Sequence, residues 1–240
     1  MRRRSVVLLA LSTLVLAACA RTWAVTYDGN SRGAERVMSQ RMLSADGGDH
    51  YVIESSGAQV RASAAPTNTG GNYRTVFWPE GAPSATNSQS CATWTAQSET
   101  GHVQQGAALR IATDDAGVTR AITVTKNVWF GVTWTFNVHV WDTSKRPTGA
   151  QVGAVDLGAA VGGKPLPWHL CARTVGTAIE MKVWAGTEPE PSWGDSRHGS
   201  SVGLPAEWVY PGRAGWYIGH LPVGGFADFG NLRTWRSGAD

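Results

Sequence analysis

The sequence has few lysines and little helical spacing of its apolar residues. Only four of its 240 residues are lysine, and arginine supplies the rest of the 21 basic side chains. Residues 34–43 are the one stretch whose apolar side chains would share a helical face, and the same stretch reads equally well as a strand. A chain without interleaved helices is not expected to form a parallel α/β sheet.

The sequence also lacks net charge once its first residues are set aside. The whole chain has 21 Lys and Arg against 18 Asp and Glu, and three of the arginines stand at positions 2–4. The remaining 18 basic residues equal the acidic residues in number, so the basic isoelectric point comes from the N-terminus. A balanced surface gives no electrostatic basis for binding nucleic acid, and we predict no such partner.

The N-terminus has the pattern of an export signal. The three arginines precede an apolar run at residues 6–16 that is too short to span a bilayer, and Leu-Ala-Ala-Cys follows at 16–19. This ending resembles the lipobox of bacterial lipoproteins. The resemblance implies cleavage before Cys19 and a diacylglyceryl group on the Cys19 sulfur. An ordinary secretory cut near Ala18 or Ala20 is the alternative.

Both alternatives predict export. With a lipid on Cys19, residues 1–18 are the signal peptide, 19–22 are the lipidated cysteine and a short tether, and 23–240 are a single domain. The lipid would hold the protein to the outer face of the cell membrane without spanning it.

Cysteine is also scarce. With Cys19 assigned to lipid, Cys91 and Cys171 remain, and neither belongs to a CxxC or Cys-His metal-binding pattern. In an oxidising compartment a disulfide between them is the expected outcome.

Strand patterns fill the rest of the chain. In residues 133–141, Trp134, Phe136, Val138 and Val140 alternate with Thr135, Asn137, His139 and Trp141, which is typical of a half-buried strand. Many further short runs are separated by Gly, Pro, Asn and Asp, and twelve tryptophans are spread along the chain. These patterns predict an all-β sandwich or barrel.

The C-terminal third resembles the concanavalin A-like and laminin-G-like jelly rolls. The resemblance rests on AIEMKVWAGT at 178–187, EPEPSW at 188–193, AGWYIGH at 214–220 and GFADFGNL at 225–232. It implies a two-sheet antiparallel jelly-roll sandwich and a ligand face that binds glycans. It also implies a structural calcium near Asp228, against the alternative that Asp228 is an exposed strand acid.

Two polar and aromatic rows are the candidate binding residues. One row contains Asn137, His139 and Trp141, and the other contains Glu180 and Trp184, with Lys182 between them. We predict that the rows are neighbours and form an aromatic platform with polar groups that binds a sugar. Alternatively, loops cover one or both rows, or they face bulk water. Glu180 and Lys182 are expected to form a surface ion pair.

Catalytic patterns are weak. No strand contains the E-x-D-x-x-E acids of jelly-roll glucanases. The G-x-S-x-G match at 199–203, beside His198, lacks the predicted strand before it and the helix after it that a nucleophile elbow needs, so we predict a loop there. A near match to a phosphate loop at 158–164 has Pro165 in place of the required Ser or Thr.

We therefore predict no catalytic residue and no cofactor apart from the calcium. The predicted function is that of a lipid-anchored, non-catalytic cell-envelope protein whose lectin-like sandwich binds a glycan or envelope polymer. The alternatives are a glycan hydrolase or lyase with a non-standard site, and a protein–protein adaptor that uses the loop at residues 186–210.

Overall fold

Two antiparallel sheets packed face to face make up the protein. The computed structural model describes residues 21–31, 37–44, 51–56, 58–67, 72–99, 102–129 and 133–238. The strands are β1 (Trp23–Asp28), β2 (Met38–Met42), β3 (Tyr51–Ser56), β4 (Gln59–Ala64), β5 (Arg74–Pro79), β6 (Ser88–Gln97), β7 (Gln104–Thr113), β8 (Thr119–Trp129), β9 (Thr133–Asp142), β10 (Gly149–Asp156), β11 (Trp168–Val175), β12 (Ala178–Ala185), β13 (Gly199–Gly203), β14 (Arg213–Gly219) and β15 (Phe226–Ser237). One helical turn, α1 (Gly158–Val161), and a 3₁₀ turn at Ala206–Trp208 are the helical elements of the described residues.

The strand order gives sheets of eight and seven strands. Sheet A runs β13-β12-β11-β6-β15-β4-β3, and β1 pairs with the second half of β15, in line with β4. Sheet B runs β10-β9-β8-β7-β14-β5-β2. All pairs are antiparallel, and the predicted all-β sandwich is confirmed.

The main core lies between the sheets. Phe136, Val138 and Val140 of β9 are buried there, as their alternation predicts, and the Phe136 ring stacks on Trp94 of sheet A with centroids 6.1 Å apart. Removing these apolar side chains from water supplies the main driving force for the two sheets to pack together.

Sheet B also has a packed outer face. Val76, Trp78, Trp141 and Tyr217 belong to a second buried cluster whose members come from sheet B and its flanking loops. The outer face of this sheet is therefore closed over much of its area by its own side chains.

Some boundaries differ from the sequence patterns. The stretch at 34–43 contains strand β2 and no helix over its described residues. Residues 199–203 are an edge strand where the sequence indicated a loop, because their backbone pairs with β12. This strand leads into Leu204-Pro205 and the short 3₁₀ turn at Ala206–Trp208 and not into an α-helix, so it lacks the strand–turn–helix of a nucleophile elbow.

The predicted disulfide is confirmed. Cys91 of β6 and Cys171 of β11 are directly opposed in sheet A and are joined across the two strands. The signal peptide and Cys19 lie outside the described residues. Within the described ranges, no helix is long and apolar enough to cross a bilayer.

Candidate functional site

The two predicted binding rows lie on different sheets. Asn137, His139 and Trp141 are on β9 of sheet B, whereas Glu180 and Trp184 are on β12 of sheet A. Trp141 belongs to the outer-face cluster of sheet B, and Trp184 belongs to a cluster around the disulfide on the outer face of sheet A. The prediction that the rows are neighbours is wrong, because alternation indicates a strand's face but not its sheet.

His139 and Trp141 line a pocket on the outer face of sheet B. This sheet B pocket has a volume of about 350 Å³. Its lining consists of Ser44, Asn72, Arg74, His139, Trp141, Arg146, Pro147, Thr148, Gly149 and Gln151. Strands β5, β9 and β10 and the β9–β10 turn supply most of these residues. Asn137, two residues before His139, lies outside the lining.

Trp141 is a fixed wall of the sheet B pocket. Its indole is only 3% exposed, its Nε1 donates to Thr123 Oγ1 at 2.9 Å, and its ring stacks on His139 and Tyr217 with centroids 5.5 and 6.4 Å away. Gly149, directly opposite on β10, leaves no room for a Cβ beneath the Trp141 ring. The open stacking platform expected from the sequence is absent at Trp141, because these neighbours cover both the edge and the faces of the indole.

His139 brings an unpartnered polar atom to the sheet B pocket. Its Nδ1 is buried and has no hydrogen-bond partner among the described residues. Burial, and then the positive charge of Arg74, lower the pKa of His139 to about 4. The imidazole is therefore neutral at pH 7 and can donate or accept a hydrogen bond.

Arg74 and His220 were missed by the sequence patterns. Burial, and next Arg74, also lower the pKa of His220 to about 4, and the buried Nε2 of His220 has no partner among the described residues. Arg74 lies with its guanidinium 5.4 Å from the centroid of the Trp141 ring. Arg74 belongs to no motif, and His220 ends the AGWYIGH stretch, which indicated only the fold. The two residues approach His139 because β5 and β14, which His220 follows, lie in the same sheet as β9.

Trp184 lines a second pocket, on the outer face of sheet A. This sheet A pocket measures about 220 Å³, and its lining includes His169, Glu190, Asn231, Arg233 and Trp235, with the disulfide at one side. The His169 ring stacks on Trp184 at 4.9 Å, and its Nδ1 lies 2.7 Å from Thr93 Oγ1. The ring is therefore held in place by a polar partner.

Glu180 and Lys182 each form an ion pair with a different residue and not with each other. Glu180 Oε2 lies 2.6 Å from Arg173 Nη2 directly across the strand pair, and Lys182 Nζ lies 2.7 Å from Glu190 Oε1. The predicted Glu180–Lys182 pair is wrong, because the cross-strand and loop partners are closer. The ring centroid of Trp193 lies 4.1 Å from the Arg173 guanidinium and 4.7 Å from Lys182 Nζ, so both cations hold this loop residue against the sheet.

Asp228 is committed to an arginine. Both of its carboxylate oxygens accept hydrogen bonds from Arg61, its cross-strand neighbour, at 2.7 Å. Among the described residues, no group of three or more His, Cys, Asp or Glu side chains is arranged to hold a metal ion. The surroundings of Asp228 are those of an ion pair and do not fit the calcium site that the resemblance implies.

A chain of ionisable groups joins the segment after α1 to the loop before β13. Lys164 Nζ pairs with Glu188 Oε1, Glu188 Oε2 lies 3.7 Å from His198 Nε2, and His198 Nδ1 lies 3.1 Å from Asp195. The hydrogen bond from Lys164 lowers the pKa of Glu188, and that with His198 lowers the pKa of Asp195. Both carboxylates are thus ionised at neutral pH, whereas a general acid needs a raised pKa.

Comparisons with known proteins find similarity at the level of structure. No protein-family model and no curated protein matches the chain. The CBM2 module of an evolved Dit protein from Lactobacillus casei BL23 phage J-1 has a TM-score of 0.54 and 8% identity, over 92% of this chain and 98% of that module. A Bacillus subtilis protein of unknown function with a galectin-like fold has a TM-score of 0.53 and 10% identity, over 91% of this chain and 99% of its own.

The VIP36 exoplasmic/lumenal domain, solved with Ca²⁺ and Man3GlcNAc, has a TM-score of 0.51 and 12% identity, over 88% of each chain. Identities this low relate the folds and leave the function of the chain open. The chain therefore has a two-sheet, jelly-roll β-sandwich fold similar to that of the galectin-like protein.

Proposed function

We propose that the chain is an exported, lipid-anchored, non-catalytic cell-envelope protein that binds a glycan in the sheet B pocket. The observation that carries this proposal is His139, which lines that pocket and whose buried Nδ1 has no hydrogen-bond partner among the described residues. Buried polar atoms nearly always have a hydrogen-bond partner, so this nitrogen marks a place for a group from outside the chain. A sugar hydroxyl can both donate and accept, which suits a neutral imidazole.

The rest of the lining supports a sugar ligand. Trp141 offers a rigid apolar wall, and Asn72, Gln151 and Arg74 offer amide and guanidinium groups around it. An apolar wall with a few fixed polar groups is the usual composition of a small-ligand site. The solved relatives add fold-level support, since one is a CBM2 module and another is solved with a mannose-containing glycan.

The glycan proposal is tested by paired histidine variants. His139→Phe keeps a ring to stack on Trp141 but removes the nitrogen, whereas His169→Phe makes the same change in the sheet A pocket. On a glycan array followed by calorimetry, we expect His139→Phe to weaken binding at least ten-fold and His169→Phe to leave it within two-fold. Weaker binding in His169→Phe and unchanged binding in His139→Phe would instead place the site in the sheet A pocket. Thermal melts check that both variants fold.

The anchor rests on the sequence, since residues 1–20 lie outside the described part. The charged start, the apolar run and the Leu-Ala-Ala-Cys ending support acylation of Cys19. In the expressing bacterium, wild type should incorporate labelled palmitate and stay with the membrane fraction, whereas Cys19→Ala should do neither. An unlabelled wild type would contradict the anchor.

The non-catalytic role is supported by the acids of the described pockets. The sheet B pocket has no carboxylate in its lining and the sheet A pocket has one, Glu190. Glycoside hydrolysis commonly uses two carboxylates on either side of the scissile bond. Cleavage of the bound glycan by the wild type, lost in Glu188→Gln or Glu190→Gln, would favour the hydrolase alternative.

A further inference from the structure

The sheet B pocket has an unbalanced charge. Its described lining contains two arginines, Arg74 and Arg146, and neither aspartate nor glutamate. The sheet A pocket differs, because Glu190 and Arg233 both line it and their charges cancel. The whole exported chain has no excess of basic residues, so the cationic character belongs to this pocket and not to the surface in general.

Arg74 places its charge within the pocket wall. Its side chain is half-buried, its guanidinium lies over the Trp141 ring, and its hydrogen bond from Nη1 to the Asn72 carbonyl is long, at 3.3 Å. The same charge is felt by His139, whose pKa it lowers. A positive potential in a partly desolvated wall acts on a bound group more strongly than the same charge in water.

Arg146 supplies a second cation from the β9–β10 turn. Its Nη1 donates to the carbonyls of Thr143 and Lys145 at 3.1 and 2.7 Å, which fixes the side chain along the turn. The residue is exposed, in contrast to Arg74. A ligand in the pocket would therefore have one arginine in the wall and another on its solvent side.

From this lining we infer that the sheet B pocket takes an anionic glycan, one whose sugar carries a carboxylate or a phosphate that pairs with Arg74. The inference rests on the proposed function and names its ligand class. Guanidinium binds both groups in a bidentate, charge-assisted geometry, and a neutral sugar would leave the positive potential of the wall uncompensated. His139 then faces the sugar hydroxyls, and Trp141 is a fixed wall of the pocket and not a stacking platform.

The experiment compares each acidic ligand with an uncharged ligand of the same sugar. Calorimetry at low salt is run with oligogalacturonate and oligomannuronate, with the methyl esters of both, with mannose 6-phosphate and with mannose. We expect at least one acidic ligand to bind ten-fold or more tightly than its uncharged counterpart, which is the methyl ester for a uronate and mannose for mannose 6-phosphate. Binding of a uronate identifies a carboxylate as the anionic group, and binding of mannose 6-phosphate identifies a phosphate.

Matched arginine variants locate the charge effect. Arg74→Gln removes the cation in the wall, and Arg213→Gln removes one from elsewhere in sheet B, where its guanidinium lies 5.9 Å from the Trp78 ring and outside the pocket lining. We expect Arg74→Gln to weaken acidic-glycan binding at least ten-fold and Arg213→Gln less than two-fold. If Arg74→Gln does not fold, Arg146→Gln replaces it in the same binding measurement, because Arg146 is exposed and its loss should not affect folding.

Three results would overturn the inference. If acid and ester bind equally, or if only neutral sugars bind, the pocket does not select charge, and the proposed glycan function stands alone. If Arg74→Gln and Arg213→Gln weaken binding alike, the effect is general attraction and not a site. If the wild type binds no glycan at all, the proposed function itself fails, and the inference fails with it.

Discussion

Replacing Arg110 is the most informative perturbation of the fold. Arg110, on β7, is fully buried, and its guanidinium donates to three backbone carbonyls: Thr86 at 2.9 Å, Trp208 at 2.6 Å and Gly176 at 2.6 Å. These carbonyls belong to three separate connecting segments of the chain. Arg110→Met keeps much of the side-chain volume and removes all of these donors.

The expected loss follows from the bonds and the burial. A hydrogen bond to a charged group is worth about 1.5–3 kcal/mol, so three of them give an upper bound of about 9 kcal/mol. Each buried carbonyl left without a donor costs about 1–3 kcal/mol, and methionine avoids the cost of burying the charge, which offsets part of that loss. We therefore expect Arg110→Met to lower the free energy of unfolding by about 3–5 kcal/mol, which is roughly 6–20 °C in Tm for a domain of this size.

The assay is guanidinium unfolding followed by tryptophan fluorescence, together with thermal melts. Arg41→Met is the control, because Arg41 is exposed and donates only to the carbonyl of its neighbour Gln40 at 3.0 Å among the bonds described. Its effect should stay within about 0.5 kcal/mol. A loss below about 1 kcal/mol in Arg110→Met would refute the view that this guanidinium holds the three segments together.

Four other predictions use the same assays. Replacing both half-cystines by serine should cost about 4 kcal/mol, since the disulfide closes a loop of 80 residues; an unchanged midpoint would contradict it. Burial lowers the pKa of Lys126 to about 8 from 10.5. The unfolded state therefore binds more protons than the folded state between pH 8 and 10, and the free energy of unfolding should rise with pH in that range. Lys126→Met should lack that rise, and equal slopes would refute the shift. Gly149→Ala should lower Tm and weaken glycan binding because its Cβ collides with Trp141, whereas Gly203→Ala, with open space around it, should do neither. Calcium chloride and EDTA should give the same Tm, and a shift would reveal a metal site.

The alternation in β9 was enough to predict its faces. Phe136, Val138 and Val140 are buried between the sheets because period two is a local property of a strand. The disulfide was also predictable, because export and cysteine count leave one pair. Residue spacing does not show which sheet a strand belongs to, and for that reason the rows on β9 and β12 were wrongly predicted to be neighbours.

The lining of the sheet B pocket was predictable only in part. His139 and Trp141 stood out as polar and aromatic positions on one strand, and they do line the sheet B pocket. Arg74 and Gln151 come from β5 and β10, and the order of strands in the sheet brings them there. The covering of Trp141 depends on Gly149 lying directly opposite, which is a matter of register that no pattern in either strand encodes.

The pairing of β1 with β15 affects how the domain would respond to mechanical force. Trp23 pairs with Ser237 at the end of the ladder, and Tyr27, four residues on, is buried with its ring 5.9 Å from Trp216. A force on residue 22 directed away from the sheet would break the β1–β15 backbone pairs one after another. The buried side chain of Tyr27 would resist further separation of β1 from β15. Residues 23–26 would then add roughly 13 Å of reach at about 3.3 Å per residue. Under the proposed function, the membrane anchor would thus move relative to a bound glycan while both sheets stay folded.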